Sequence, residues 1–161
     1  MTQAFSLTAA GTTPAEGMYA YIPNQPHVHN AVFYSSTSTD TAPAGTFVKL
    51  YSSSTSKTAP VVAAAAVTDV PYGMIVYDAL KSTNKVGDIV ALATTGDSVF
   101  LVAAGAIAVG SKLQFNASTR KVDDSTTATY AYIGVAETAA AAAGDLVQVK
   151  LDFNLGVQAA G

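Results

Sequence analysis

This chain has no cysteine and no tryptophan. The missing thiols exclude disulfides and thiolate chemistry, and they leave the redox compartment unmarked. Charge is scarce as well: 12% of residues are charged, against roughly 25% in an ordinary soluble domain. A free monomer normally keeps a charged surface for solubility. A surface of Ser, Thr, Ala and Gly is instead what a subunit packed closely against neighbours carries, and a sparsely charged secreted β-protein is the alternative. Cations are scattered. No Lys or Arg precedes Lys49, only Arg120 and Lys121 are adjacent, and the net charge is −3. Nucleic-acid binding needs cations clustered along one face to neutralise phosphates, so no nucleic-acid partner is expected. The longest apolar stretch, residues 99–110, is broken by Gly105 and falls short of the ~20 residues needed to span a bilayer. No membrane partner is expected, and the absence of a basic start argues against a secretory signal and for synthesis in a cytoplasm.

What the chain does have is a recurring phrase. It reads A-G-T-F-V-K-L at residues 44–50, V-G-D-I-V-A-L at 86–92, V-G-S-K-L-Q-F at 109–115 and A-G-D-L-V-Q-V at 143–149. Each copy runs from a small apolar residue through glycine and a short polar residue into strand formers. Glycine tolerates the positive φ of a tight turn, and Asp, Ser or Thr can bond its own backbone there. The bulky and β-branched residues that follow suit a pleated, half-buried surface. There is a longer echo too. G-M-I-V-Y-D-A (residues 73–79) followed by the second phrase resembles I-G-V-A-E-T-A (133–139) followed by the fourth. Such an echo fits strands with equivalent roles on two sides of a barrel or sandwich.

The spacing predicts an all-β fold: one small antiparallel β-barrel or compact sandwich over residues 43–153, with an extended N-terminal arm or extra strands over 1–42 and a C-terminal tail over 154–161. Residues 61–70 fit either a helical turn or a buried strand. Residues 82–85 read as a polar turn, 105–109 as a strand, and 139–143 as a turn or so of helix at most, ended by Gly144. The first 42 residues place apolar side chains in pairs at strand spacing, Phe5 with Leu7 and Tyr19 with Tyr21, with little to bury against one another. An arm that needs another surface is one reading. An N-terminal strand folded back on its own domain is the other.

No constellation carries catalysis. His27 and His29 alternate so that one strand face would hold both imidazoles, but a metal usually takes three or four ligands, and the chain has no third histidine. Asp123 and Asp124 near Asn116 match no calcium-loop spacing. Serines occur in clusters without a G-x-S-x-G elbow, and the glycine turns lack the helix and lysine of a phosphate loop. No catalytic, cofactor or metal site is therefore expected. Tyrosine combines a large apolar ring with a hydroxyl and is favoured at interface hot spots. The candidate assembly contacts are accordingly Phe5, Leu7, Tyr19, Tyr21, His27, His29, Phe33 and Tyr34, with burial of the aromatics in the subunit's own core as the alternative.

Two stretches, A-G-A-I-A-V-G-S-K-L-Q-F-N-A-S-T-R-K-V (residues 104–122) and Y-I-G-V-A-E-T-A-A-A-A-A-G-D-L-V-Q-V-K-L (132–151), resemble the small β-barrel decoration, or cement, proteins of tailed-bacteriophage capsids. In that family a strand leads through a glycine turn to a Lys-Val, and a later "iGva…gd..v.v.l" segment closes the barrel. The resemblance covers residues 43–153. It implies a structural protein, not an enzyme, that binds the major capsid protein on the outer surface of the virion, commonly as a homotrimer at local three-fold positions. A head-fibre or host-recognition module binding glycans through Ser/Thr loops and tyrosines is the alternative function.

Overall fold

The computed structural model describes residues 15–19, 29–53, 59–78, 80–124 and 127–159. Twelve short strands account for the described architecture, together with one turn of 3-10 helix at Phe153–Leu155. The first seven are β1 (His29–Phe33), β2 (Thr41–Pro43), β3 (Phe47–Leu50), β4 (Val61–Ala64), β5 (Gly73–Ile75), β6 (Thr83–Lys85) and β7 (Ile89–Ala93). Five of these close a barrel in the order β1-β4-β3-β5-β7, and β2 pairs with β6 beside it. Pairing is antiparallel throughout the barrel except between β1 and β4, where Val32 lies opposite Val61. The all-β barrel class expected from the sequence is thus present.

The remaining strands are β8 (Ser98–Val102), β9 (Lys112–Phe115), β10 (Val122–Asp123), β11 (Tyr132–Ala136) and β12 (Leu146–Leu151). They form a second sheet in the order β10-β9-β11-β12-β8. A parallel bridge from Ala103 to Val122 brings its two edges together. This order repeats the barrel's plan, with β8, β9, β10, β11 and β12 standing where β1, β3, β4, β5 and β7 stand. An antiparallel bridge between Ile107 and Ala140 occupies the place of the β2–β6 pair.

The correspondence extends to single hydrogen bonds. Gly87 N donates to Phe33 O, and Gly144 N donates to Ala103 O. Gly45 N donates to Ile75 O, and Gly110 N to Ala136 O. The carboxylates of Asp88 and Asp145 each accept from a backbone N–H three residues upstream, at Lys85 and Ala142. Gly87 and Gly144 sit at φ 91° and 97°, where a side chain would be strained. The recurring Gly-Asp phrase therefore codes one turn, used once in each half. We call the halves the first and second units.

Each unit fills its interior with equivalent positions. Val48, Val62 and Leu92 in the first correspond to Leu113, Val122 and Val149 in the second, all buried. Sizes trade places between neighbours: Ala31, Phe33 and Ala42 face Leu101, Ala103 and Ile107 in the counterpart. Such exchanges conserve packed volume and so keep the same backbone plan. The units meet along one paired row on the outer wall of the first barrel, Phe47–Met74–Ala93. That row belongs to one apolar cluster with Val99, Phe115 and Leu151, which close the end of the second unit. Phe47 anchors it, with its ring centroid 4.7 Å from that of Phe115 and 6.3 Å, edge-on, from that of Phe153.

Several local expectations change. Residues 61–64 form strand β4. Residues 83–85, expected as a polar turn, pair as β6, where buried Asn84 donates its side-chain amide to Ala42 O. Residues 105–109 make only the single bridge at Ile107, and residues 139–143 a bridge and turn without helix. Within the expected N-terminal extension, residues 29–33 are a full member of the barrel. Two apolar residues at alternate positions, Ala31 and Phe33, suffice there because β4 and β7 flank the strand on both sides. Beyond residue 153 the chain pairs again, Val157 with Ala131.

One glycine pair predicts a graded effect. Gly73 and Gly134 occupy equivalent positions beside β7 and β12. A Cβ at Gly134 would lie 2.2 Å from Lys150 O, whereas one at Gly73 would lie 3.1 Å from Ala93 O. Gly134→Ala is expected to cost about 1–3 kcal/mol because backbone must move. Gly73→Ala should cost less, and denaturant midpoints of the two variants measure the difference.

Candidate assembly surfaces

The expected contact residues fall into three groups. Phe5, Leu7, Tyr21 and His27 lie outside the described residues. Phe33 is only 2% exposed and belongs to the core of its own barrel. It is corrected from assembly contact to core residue: alternation in β1 turns it inward beside Ala31. Tyr19, His29 and Tyr34 remain to be placed.

Tyr19 holds the units together. Residues 17–19 run along the second unit, with Gly17 N donating to Phe100 O, Phe100 N donating to Met18 O, and Tyr19 bridged to Val99. The same segment reaches the first unit, because Tyr77 N donates to Gly17 O and the Tyr19 hydroxyl lies 3.4 Å from Leu92 O. A Cβ at Gly17 would come within 2.8 Å of Ala44 Cβ, so only glycine fits this approach. Next to it, the Glu16 carboxylate faces the Arg120 guanidinium at 3.9 Å. Burial pushes Glu16 above its ordinary pKa, and Arg120 opposes the shift. The segment is therefore a strap between the units, and of the two readings of the N-terminal region it matches a segment folded back on its own chain.

His29 is exposed at the open end of β1. Tyr34 follows β1 and stacks on Tyr51 with centroids 4.3 Å apart. A hydrogen bond with Tyr51 raises the Tyr34 pKa. These rings border a groove of about 590 Å³ lined also by Ser35, Ser36, Thr39, Asp40 and Lys49. The loop that forms it is pinned by Ser35 Oγ donating to Asp40 Oδ2 at 2.5 Å. Lys49 pairs with Asp69 at 2.8 Å, and this contact holds the Asp69 carboxyl below its ordinary range. In the second unit the equivalents of Tyr34 and Tyr51 are Ala104 and Asn116, and the connection from Ala103 to Ile107 is shorter. The groove is a specialisation of the first unit.

A second surface was missed by sequence reading. The wall row Phe47–Met74–Ala93 has its equivalent in Lys112–Val135–Lys150, paired in the same way but carrying two exposed lysines. Lys112 Nζ lies 5.7 Å from the centroid of the Tyr132 ring, within reach of a cation–aromatic attraction. The sequence signal was present: aligning the third phrase with the first places Lys112 opposite Phe47. Among the described residues no three His, Asp or Glu side chains gather as a metal site, and no helix is long and apolar enough to cross a membrane.

The family model described as phage cement protein matches residues 37–151. Among solved structures, the head fiber gp8.5 N base of bacteriophage phi29 is 18% identical with a TM-score of 0.49, over 78% of this chain and 93% of that one. No curated protein matches.

Tyr19 gives a pH test. Burial, with Asp97 nearby, pushes its pKa up from 10.0 to about 12. Because the folded value exceeds the unfolded one, the neutral phenol contributes stability that is fully present below about pH 10 and lost as pH rises through about 12. An ultraviolet titration of the Tyr19→Phe variant should lack a late-ionising phenol that the unaltered chain shows, and the variant's stability should fall less steeply over that range.

Proposed function

This chain belongs to the phage cement protein family, and we propose that it binds the major capsid protein on the outer surface of a mature head, as a homotrimer at local three-fold positions. Membership gives it a capsid-associated structural role within the virion. The single observation that supports the finer reading is that the family match runs from residue 37 to 151, and so takes in the first unit from β2 onward, all five strands of the second and the Phe47–Met74–Ala93 row between them. The low charge supports it, since few ions must be desolvated where the protein meets a lattice.

The mechanism is multivalent clamping. Each subunit buries a modest patch on the coat, and linkage of three copies makes the later contacts intramolecular and slows dissociation. Residues before the described strap, including Phe5 and Leu7, supply strand-like pairs that add to exposed edges of neighbours through backbone hydrogen bonds. Coat contacts fall to Tyr34, which follows β1 and stacks on Tyr51 beside the groove.

Purified protein mixed with unexpanded and expanded heads tests this by co-sedimentation. Saturable binding to expanded heads in multiples of three per local site is the expected result. Binding to neither form would reject the clamp and move the reading to a glycan-recognition module built on the Tyr34–Tyr51 groove.

A further inference from the structure

The two units carry the same pair of surfaces, but the described residues cover only one of each kind. At the seam, the end of the second unit (Val99, Phe115, Leu151) sits with the wall row of the first (Phe47, Met74, Ala93) in one buried cluster. Among the described residues the end of the first unit is left open. Its equivalent residues are His29, Leu50 and Thr94. His29 is exposed, and Leu50 is 52% exposed where its counterpart Phe115 is 4%. The wall of the second unit, Lys112–Val135–Lys150, is open too, with both lysines exposed. One chain thus ends in a free socket and a free plug of a joint whose geometry it already displays once.

We propose that the open barrel end around Leu50 of one chain docks on the Lys112–Val135–Lys150 wall of a second copy, repeating between chains the joint made within each chain. This deepens the homotrimer reading and rests on it. The occupant is specified by the molecule itself, since the equivalent wall is seen occupied by the equivalent barrel end. Such a contact joins unlike surfaces, so it propagates head to tail and closes into a ring when the rotation allows. Three chains then place six barrels around one axis.

The differing chemistry of the two joints fits their different duties. The inner joint is never separated, so Phe47, Met74 and Phe115 can be wholly apolar. The outer joint has to stay soluble while open, and a large exposed apolar patch would not. Lysines meet both needs: their stems cover apolar surface while their ammonium heads remain in water. The cation–aromatic contact of Lys112 with Tyr132 holds the ammonium over a ring on the same wall, beside which a leucine from a second copy can pack.

The chain's lack of cysteine makes the test direct. Phe47 and Phe115 touch in the inner joint, and their equivalents are Lys112 and Leu50. In the full chain, Leu50→Cys combined with Lys112→Cys should oxidise to a ladder ending at a covalent trimer on a non-reducing gel. A mixture of the two single variants should give dimers, and either single variant alone should give none. At concentrations too low for association Leu50→Asp should leave the thermal midpoint near that of the unaltered chain, because the side chain is half exposed, and at higher concentrations it should weaken self-association at least tenfold by sedimentation. Bands from either single variant alone mark a two-fold contact and overturn the proposal. So does a trimer by ultracentrifugation of the unaltered chain that shows no cross-link in the double variant, which would leave the trimer reading standing on another surface. A chain that stays monomeric in solution and on heads overturns both.

Discussion

One apolar row, Phe47–Met74–Ala93, governs the shape of this molecule. A five-stranded barrel of such short strands encloses a thin core, and small modules bury too little surface to be stable alone. Covering an aromatic row on one barrel's wall with the end of the next joins two thin cores into a larger one. The strap at residues 15–19 then seals the joint by giving backbone hydrogen bonds to both sides. Every described part of the chain either builds a unit or serves that seam.

Function follows from what the seam leaves over. Because the joint uses unlike surfaces, two units joined once leave one of each kind uncovered among the described residues. A protein whose own architecture is a stacked repeat is suited to join a larger array through its remaining faces. Sparse charge, small side chains and lysines that cover apolar wall without exposing it all serve a molecule that spends its working life packed against others.

Legibility in the sequence followed the range of the interaction. The Gly-Asp turns at residues 87–88 and 144–145 could be read directly because glycine geometry and an aspartate bonding its own backbone are local facts. The echo between residues 73–92 and 133–149 was visible for the same reason. The duplication of the whole plan was not, because the earlier strands disguise it. Ala31 and Phe33 correspond to Leu101 and Ala103, a size reversal that conserves volume but not pattern. The connection following β1 is also longer in the first unit, so no fixed spacing links the two halves. Phe33 and Tyr19 looked like candidates for an external partner because nothing near them in sequence could bury them. Their partners lie in β4, β7 and β8, far along the chain. Lys112 was overlooked because a lysine entering a strand is ordinary until the phenylalanine in its counterpart position is known to be a keystone.

The central claim is that equivalent wall positions hold different offices, Phe47 as the joint and Lys112 as open surface. The most direct measurement is equilibrium denaturation of Phe47→Ala beside Lys112→Ala at protein concentrations too low for association. Removing the Phe47 ring from the seam should cost about 3–5 kcal/mol. Removing an exposed lysine should stay within about 0.5 kcal/mol. Comparable losses at the two positions, or a negligible one at Phe47, would contradict the account.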